Sequence, residues 1–422
     1  MRSLPEYNRD HPRILVIHAY SAQNSGDRLL VEETLELLRS VWPDSVVDVI
    51  ATDAESFRHH PMANHVKFHQ WASAWIPNPK KKASVRVSML ASSVTGGPAP
   101  VKILFEQADL IVAVGGGYLR GSSVSEALKT AGAHFGQLDL AARSRARKIY
   151  LPQSIGPFPN ILRRRIASSL KAMDQVLVRD DRSRDLFADL TNVERISDLA
   201  VLKMAEVRTP RNIEITHGPV VVARELSRPG SYENTLSDLA RSDHVVWAIQ
   251  STGGGNNDTP LTVKYSPGTP KPLQHYLEST ENRVVVSTRL HGSLSALLAG
   301  KPSVHLGYER KSWGAFHDLG LEQYVLDARR TSATRVLDAV ESIRDDPAAY
   351  WSLIDSRIEP SHPRGNACST PWLCHATCRR LANDMNLSIL LFASVFLLLI
   401  ARLRVVTVLQ PRRQTSTSTR SG

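Results

Sequence analysis

Arg289, Leu290 and His291 follow the apolar run VVVST and precede the small-residue segment GSLSALLAG. An arginine presents paired N–H donors that match a carboxylate or phosphate, and a histidine exchanges a proton near neutral pH. Tyr308 and Lys311 come after the next apolar run, and Lys311 brings a compact positive charge suited to phosphate. Arg179 ends another apolar run, VLV, ahead of two acids of which Asp180 or Asp181 can cap a following helix. Arginine, histidine and lysine delivered to one rim predict an anion site. Nearer the start, Asn24, Gly26 and Asp27 lie between an apolar run and a helical pattern, where a glycine allows a tight turn and a helix N-terminus offers unpaired amides. Asp27 can cap that helix or accept a proton from a hydroxyl, and both readings stay open. Gly115, Gly116 and Gly117 follow LIVAV. They let a ligand or a facing surface approach the backbone, but they do not form the G-x-G-x-x-G spacing of a dinucleotide site. Gln153 closes the run IYLPQ.

The elements that must position these residues repeat a single rhythm. Apolar, β-rich runs at 13–20, 45–52, 108–117, 148–156, 175–180 and 195–202 are expected as strands. Helical patterns separate most of them, at 28–42, from Ser125 to Arg145, at 161–173 and from Ser183. The rhythm resumes after 219 with PVVVAREL, HVVWAIQST, RVVVSTRLHG and KPSVHLGY. Strands that are apolar throughout, alternating with helices, imply parallel sheets covered on both faces. The expected fold class is therefore α/β, with two Rossmann-like domains facing across a cleft in the GT-B-like manner and a C-terminal apolar and basic tail. The expected boundaries are an N-terminal tail 1–12, a first domain 13–205 with an irregular insertion 57–100, a linker 206–219, a second domain 220–361 and a tail 362–422. Ligands in such sheets sit beyond the carboxyl ends of the strands, where the residues above fall.

The formal charge is +11 over 422 residues, but +6 of it lies in residues 379–422, so the body is only mildly basic. That suits phosphorylated, carboxylated substrates, and without aromatic-basic interleaving nucleic acid is not an expected partner. Cys368, Cys374 and Cys378 are the only cysteines, which leaves the body without a disulfide framework. With His375 they match no zinc spacing, so no metal is expected. No secretory signal opens the chain, which points to a cytoplasmic enzyme. The apolar run 387–401, followed by Arg402 and Arg404, is shorter than the roughly 20 residues of a spanning helix. Contact with the inner face of the plasma membrane through 387–413 stays open against a buried terminal helix.

From about Arg13 to Asp327 the chain resembles the polysaccharide pyruvyltransferase family. The likeness rests on N-x-G-D after the first strand, the triple glycine, P-Q-S-I-G-P (152–157) and V-R-D-x-x-S (178–183). It continues with S-D-L-A (197–200) and with R-L-H-G followed by A-G-K-P and Y-x-x-K. Leu199 stands where many members have proline. The resemblance implies transfer of the pyruvyl group of phosphoenolpyruvate to a sugar of a cell-envelope or exopolysaccharide glycan, forming a ketal without a cofactor. It implies His291 as proton donor and Arg289 and Arg179 as clamps on carboxylate or phosphate. Lys311 is a phosphate partner and Asp27 a base toward a glycan or lipid-linked saccharide acceptor, with Asn24, Gly116, Gly117, Gln153 and Leu290 as further substrate contacts. Two rivals remain at this level: a nucleotide-sugar glycosyltransferase of the same fold, and a non-catalytic glycan-assembly protein.

Overall fold

The computed structural model describes residues 11–71, 97–206, 209–253 and 257–357. Two wholly parallel sheets dominate them, both inside one compact unit, Met1–Ser361. In chain order the first sheet uses β1 Arg13–Ala19, β2 Val46–Ala51, β3 Lys67–Gln70, β4 Leu110–Ala113, β5 Arg147–Gln153, β6 Gln175–Val178 and β7 Val193–Arg195. Their spatial order is β3-β2-β1-β4-β5-β6-β7. The second uses β8 Val220–Val222, β9 Val246–Ile249, β10 Lys271–Pro272, β11 Val285–Ser287, β12 Ser303–Gly307 and β13 Val325–Asp327, ordered β10-β9-β8-β11-β12-β13. Both orders reverse direction once, between β1 and β4 and between β8 and β11. In doubly wound sheets such a reversal is where a crevice forms, because the flanking connections leave to opposite faces of the sheet.

The strands take this form because their side chains are buried on both faces: β4, β8, β11 and β12 are buried at every position. The helix Ser25–Val41 buries Leu30, Val31, Thr34, Leu35 and Leu38, the i, i+4 stripe of an element lying on a sheet. Each fully buried leucine of such a stripe contributes about 2 kcal/mol.

Three expectations are corrected. The first helix starts at Ser25, not Arg28, because the Asn24 side chain accepts the Gly26 amide and so caps it. The run 195–202 is not a strand. β7 ends at Arg195 and Leu199–Glu206 is a helix packed against both the Ser25–Val41 and Leu290–Leu298 helices. A short apolar run does not distinguish strand from buried helix by period, and here Asp198 decides, accepting the Ala200 amide at 3.0 Å. The region 57–100 is not irregular throughout. It supplies edge strand β3, tied to β2 by His69 Nε2 and Asp48 at 2.7 Å, and Trp71, fully buried, donates its indole N–H to the Gly132 carbonyl at 2.9 Å. Residues 72–96 of that region lie outside the described residues, as do the cysteines and 387–413. Among the described residues no helix is long and apolar enough to cross a membrane, and no group of His, Cys, Asp or Glu gathers to hold a metal ion.

Beneath the glycine loop, His18 on β1 has a left-handed backbone (φ 72°) and is hydrogen-bonded to the Tyr150 hydroxyl, with His134 Nδ1 3.3 Å from its own Nδ1. His134 belongs to a π-helical turn, Ala131–Phe135. Burial lowers the pKa of both imidazoles, that of His134 to about 3, and at His18 the neighbouring His134 lowers it further. A folded pKa below the unfolded one, about 6.5, means stability that is complete above that value and lost as pH falls below it. Denaturant unfolding at pH 7 and pH 5 should therefore differ by on the order of 2 kcal/mol per histidine. Equal stability at the two pH values would contradict the neutral pair.

Candidate functional site

Every candidate loop leaves the carboxyl end of a strand. In the first sheet the Asn24–Asp27 turn follows β1 and the three glycines follow β4, on either side of the strand-order reversal. Asn24 Nδ2 donates to Asp27 at 2.7 Å, so the two residues form one unit at the helix N-terminus. The nearby Tyr20 hydroxyl is pushed up to about 12 by burial first and by Asp27 and Asp53 next. Gly115 is required by packing: a Cβ there would stand 2.7 Å from the Pro152 carbonyl oxygen. Gly116 bridges to Gln153 and has φ 144°, a region that side chains rarely adopt. At Gly117 a Cβ would lie 3.3 Å from Arg179 Nη2.

Arg179, at the end of β6, is 4% exposed and forms an ion pair with Asp198, itself 1% exposed. Its Nε donates to Ser154 Oγ at 3.1 Å. Burial disfavours charge on Asp198. Arg179, His291 and the Ala200 amide outweigh that, and hold the carboxyl well below the usual carboxylate range. His291 comes from the other sheet, in the first turn of the Leu290–Leu298 helix that follows β11. Its Nε2 lies 3.5 Å from Arg179 Nη1 and 3.8 Å from Asp198. A Cβ on Gly26 would stand 3.0 Å from His291 Nδ1, so the glycine of the first loop makes room for this ring. The two halves are joined nearby by an Asn24 to Ser251 bridge, by Ser25 Oγ donating to the Gln250 carbonyl at 2.9 Å, and by Arg195 to Asp318 at 2.6 Å.

Arg289 takes another direction. Its Nε and Nη2 grip Asp258 at 2.6 and 2.5 Å, and the pair is almost entirely buried. It lines a cleft of about 410 Å3 together with Arg224 at the end of β8, Tyr308 at the end of β12, and Arg120 and Glu126 from the first half. The fold thus brings Arg179, His291, Gly26 and Gly117 together, while Arg289 is fastened to its own carboxylate, Asp258. Leu290 buries its side chain in the core of the second sheet. Gln153 is fully buried, and its side-chain amide makes no hydrogen bond among the described residues. The Lys311 side chain lies outside the described residues; its backbone opens the Arg310–Asp318 helix after β12. Asp180, not Asp181, caps the helix after β6.

Asp198, Asp258 and Arg224 were not singled out as site residues from the sequence. Arg224 ends an apolar strand just as Arg179 does, and that pattern was legible. Asp258 carries no local signal, because its partner is 31 positions away.

Two doubly wound sheets with a cationic and imidazole cluster where they meet define an α/β protein with a candidate ligand site between its two halves. The polysaccharide pyruvyl transferase family matches residues 24–310, more than half of the chain, and the chain belongs to that family. No curated protein matches it. Among solved structures, UDP-GlcNAc 2-epimerase from Neisseria meningitidis, bound to UDP-GlcNAc, is similar at 10% identity and a TM-score of 0.47, over 81% of this chain and 94% of that one. A UGT transferase from Siraitia grosvenorii, in complex with UDP, is similar at 12% identity and a TM-score of 0.45, over 82% and 94%.

Proposed function

We propose that the chain transfers the pyruvyl group of phosphoenolpyruvate to two hydroxyls of a glycan acceptor, releasing phosphate and forming a ketal. The observation that carries this reading, beside family membership, is the convergence of Arg179 and His291 from opposite sheets, with Arg289 two residues before His291. Phosphoenolpyruvate is a compact dianionic or trianionic ligand, and guanidinium groups held by buried carboxylates are preorganised to receive it without reorganising at the moment of reaction. The reaction adds a proton to the methylene carbon, for which His291 is the donor. One acceptor hydroxyl then attacks C2, the C2–O bond to phosphate breaks, and the second hydroxyl closes the ring. Of the two hydroxyl protons, one balances the new methyl C–H and the other leaves with phosphate. In this reading Asp27, whose carboxylate accepts the Asn24 side-chain amide at 2.7 Å, takes a hydroxyl proton. No cofactor enters the scheme, and a lipid-linked saccharide is an acceptor compatible with it.

The test is phosphate release from phosphoenolpyruvate by the full-length protein with membrane-extracted glycolipid acceptors, beside a His291→Ala control. Acceptor-dependent release that the control lacks supports pyruvyl transfer. Binding of UDP without binding of phosphoenolpyruvate would instead favour a nucleotide-sugar glycosyltransferase.

A further inference from the structure

Two backbone irregularities of the first half meet at one point that the proposed reaction does not use. The register of β1 against β2 shifts between Val16 and Ala19, and within that shift His18 takes its left-handed conformation, φ 72°. Opposite it, the helix Val124–Thr130 reaches the helix Gly136–Arg143 only through the π-helical turn that carries His134. A bulge re-aims a side chain, and π turns and left-handed non-glycine residues persist where the surrounding packing holds them, commonly beside a functional site. Here the two aim both imidazoles at one ring, that of Tyr118. Its centroid lies 4.8 Å from that of His18 and 4.6 Å from that of His134, with interplanar angles of 39° and 32°. The Gln137 side-chain oxygen accepts the His18 amide at 2.9 Å and so ties the shifted strand to the helix beyond the π turn.

Tyr118 in turn closes over the glycine loop. Its hydroxyl donates to the Val114 carbonyl at 2.6 Å, on the other side of Gly115–Gly117. A Cβ on Gly116 would stand 3.3 Å from the Tyr118 ring, and one on Gly117 would stand 3.3 Å from Arg179 Nη2. Burial first and Tyr150 next push the Tyr118 hydroxyl well up and Arg179 opposes the shift, so the guanidinium is within electrostatic reach of that ring. Thr130 Oγ1 accepts the Arg120 amide at 3.1 Å, so the helix that leads into the π turn also fixes the chain where it leaves Tyr118. Three glycines have no side chains with which to define their own place. The ring they rest on defines it for them.

We propose that Tyr118, seated between His18 and His134, is a positioning residue that holds the Gly116–Gly117 backbone against Arg179, where the donor anion binds. The identity of that anion rests on the pyruvyl-transfer reading. The seat acts through the loop and not on the reacting atoms. Without it the loop must be ordered when the donor arrives, which weakens binding while leaving the reaction of the bound donor nearly as fast.

The test compares Tyr118→Leu, Tyr118→Phe, His18→Asn and Phe57→Leu in the full-length protein. Asparagine accepts a left-handed backbone and removes the ring at 18. Phe57, buried and stacked on Phe68 of edge strand β3, is an aromatic core residue away from the loop. Tyr118→Leu and His18→Asn should each raise the phosphoenolpyruvate Kd about tenfold or more, while kcat for phosphate release with the glycolipid acceptors falls less than about threefold. Tyr118→Phe keeps the ring in its seat and should stay within about threefold of the parent in both quantities. Amide hydrogen exchange at 115–119 in the free protein should quicken about tenfold or more in the first two variants and not in Phe57→Leu, which reports lost core packing alone. Affinity and exchange unchanged in both Tyr118→Leu and His18→Asn, a fall in kcat with affinity kept, no rescue by Tyr118→Phe, or the same changes in Phe57→Leu would each overturn the proposal. If the parent binds no phosphoenolpyruvate, the pyruvyl-transfer reading fails, and exchange at 115–119 alone decides whether Tyr118 holds the loop.

Discussion

Asp198→Asn should lower the unfolding free energy by about 3–5 kcal/mol, because it strands the Arg179 guanidinium without a counter-charge in a site from which water is excluded. The Ala200 amide keeps an acceptor in asparagine, so the loss reports the ion pair and not the helix start. The same carboxylate makes a pH prediction. Its folded pKa is depressed, so its contribution is present above the unfolded value of about 3.9 and is lost as pH falls below that. Denaturant unfolding should show this acid-side decline in the parent protein and a smaller one in the variant. A paired replacement, Asp198→Leu with Arg179→Met, should recover much of the stability while phosphate release stays absent. Recovery of release in the pair would show that the ion pair serves folding alone.

Arg289→Lys should reduce phosphate release from phosphoenolpyruvate by about 10²–10³-fold, the usual cost of removing one preorganised donor from a site of developing charge. Lysine keeps a positive charge near Asp258, which avoids a bare buried carboxylate, but it lacks the planar fork that spans both Asp258 oxygens. Loss of one of the two charge-assisted bonds should also lower the unfolding free energy by about 1.5–3 kcal/mol, with the circular dichroism spectrum unchanged at the assay temperature. Near-normal turnover would remove Arg289 from the donor site and leave it as a fastening for the loop that carries Asp258.

Local residue chemistry determined a good deal. Continuous apolar runs separated by helical patterns specify parallel strands buried on both faces, since a strand with two covered faces has no polar side to alternate. The same runs locate Arg179, Arg289 and His291, because a charged residue that ends a buried strand emerges at the sheet edge where ligands bind. The run 195–202 shows the boundary of that logic. Its composition suits strand or helix, and the choice fell to the two neighbouring helices and to Asp198, which only the folded chain brings together.

Strand order was likewise a tertiary matter. Nothing in the spacing of the runs says that β1 and β4, or β8 and β11, are neighbours, yet such reversals are where crevices form in doubly wound sheets. The partners of the charged groups were decided in the same way. Arg179 is 19 positions from Asp198 and 112 from His291, and Arg289 is 31 from Asp258. The sequence by itself determined which residues can carry charge and a proton to the ends of strands, because that depends on side-chain type and local burial. The tertiary structure alone decided which of them share a site, because packing two sheets against each other sets distances that no local pattern encodes.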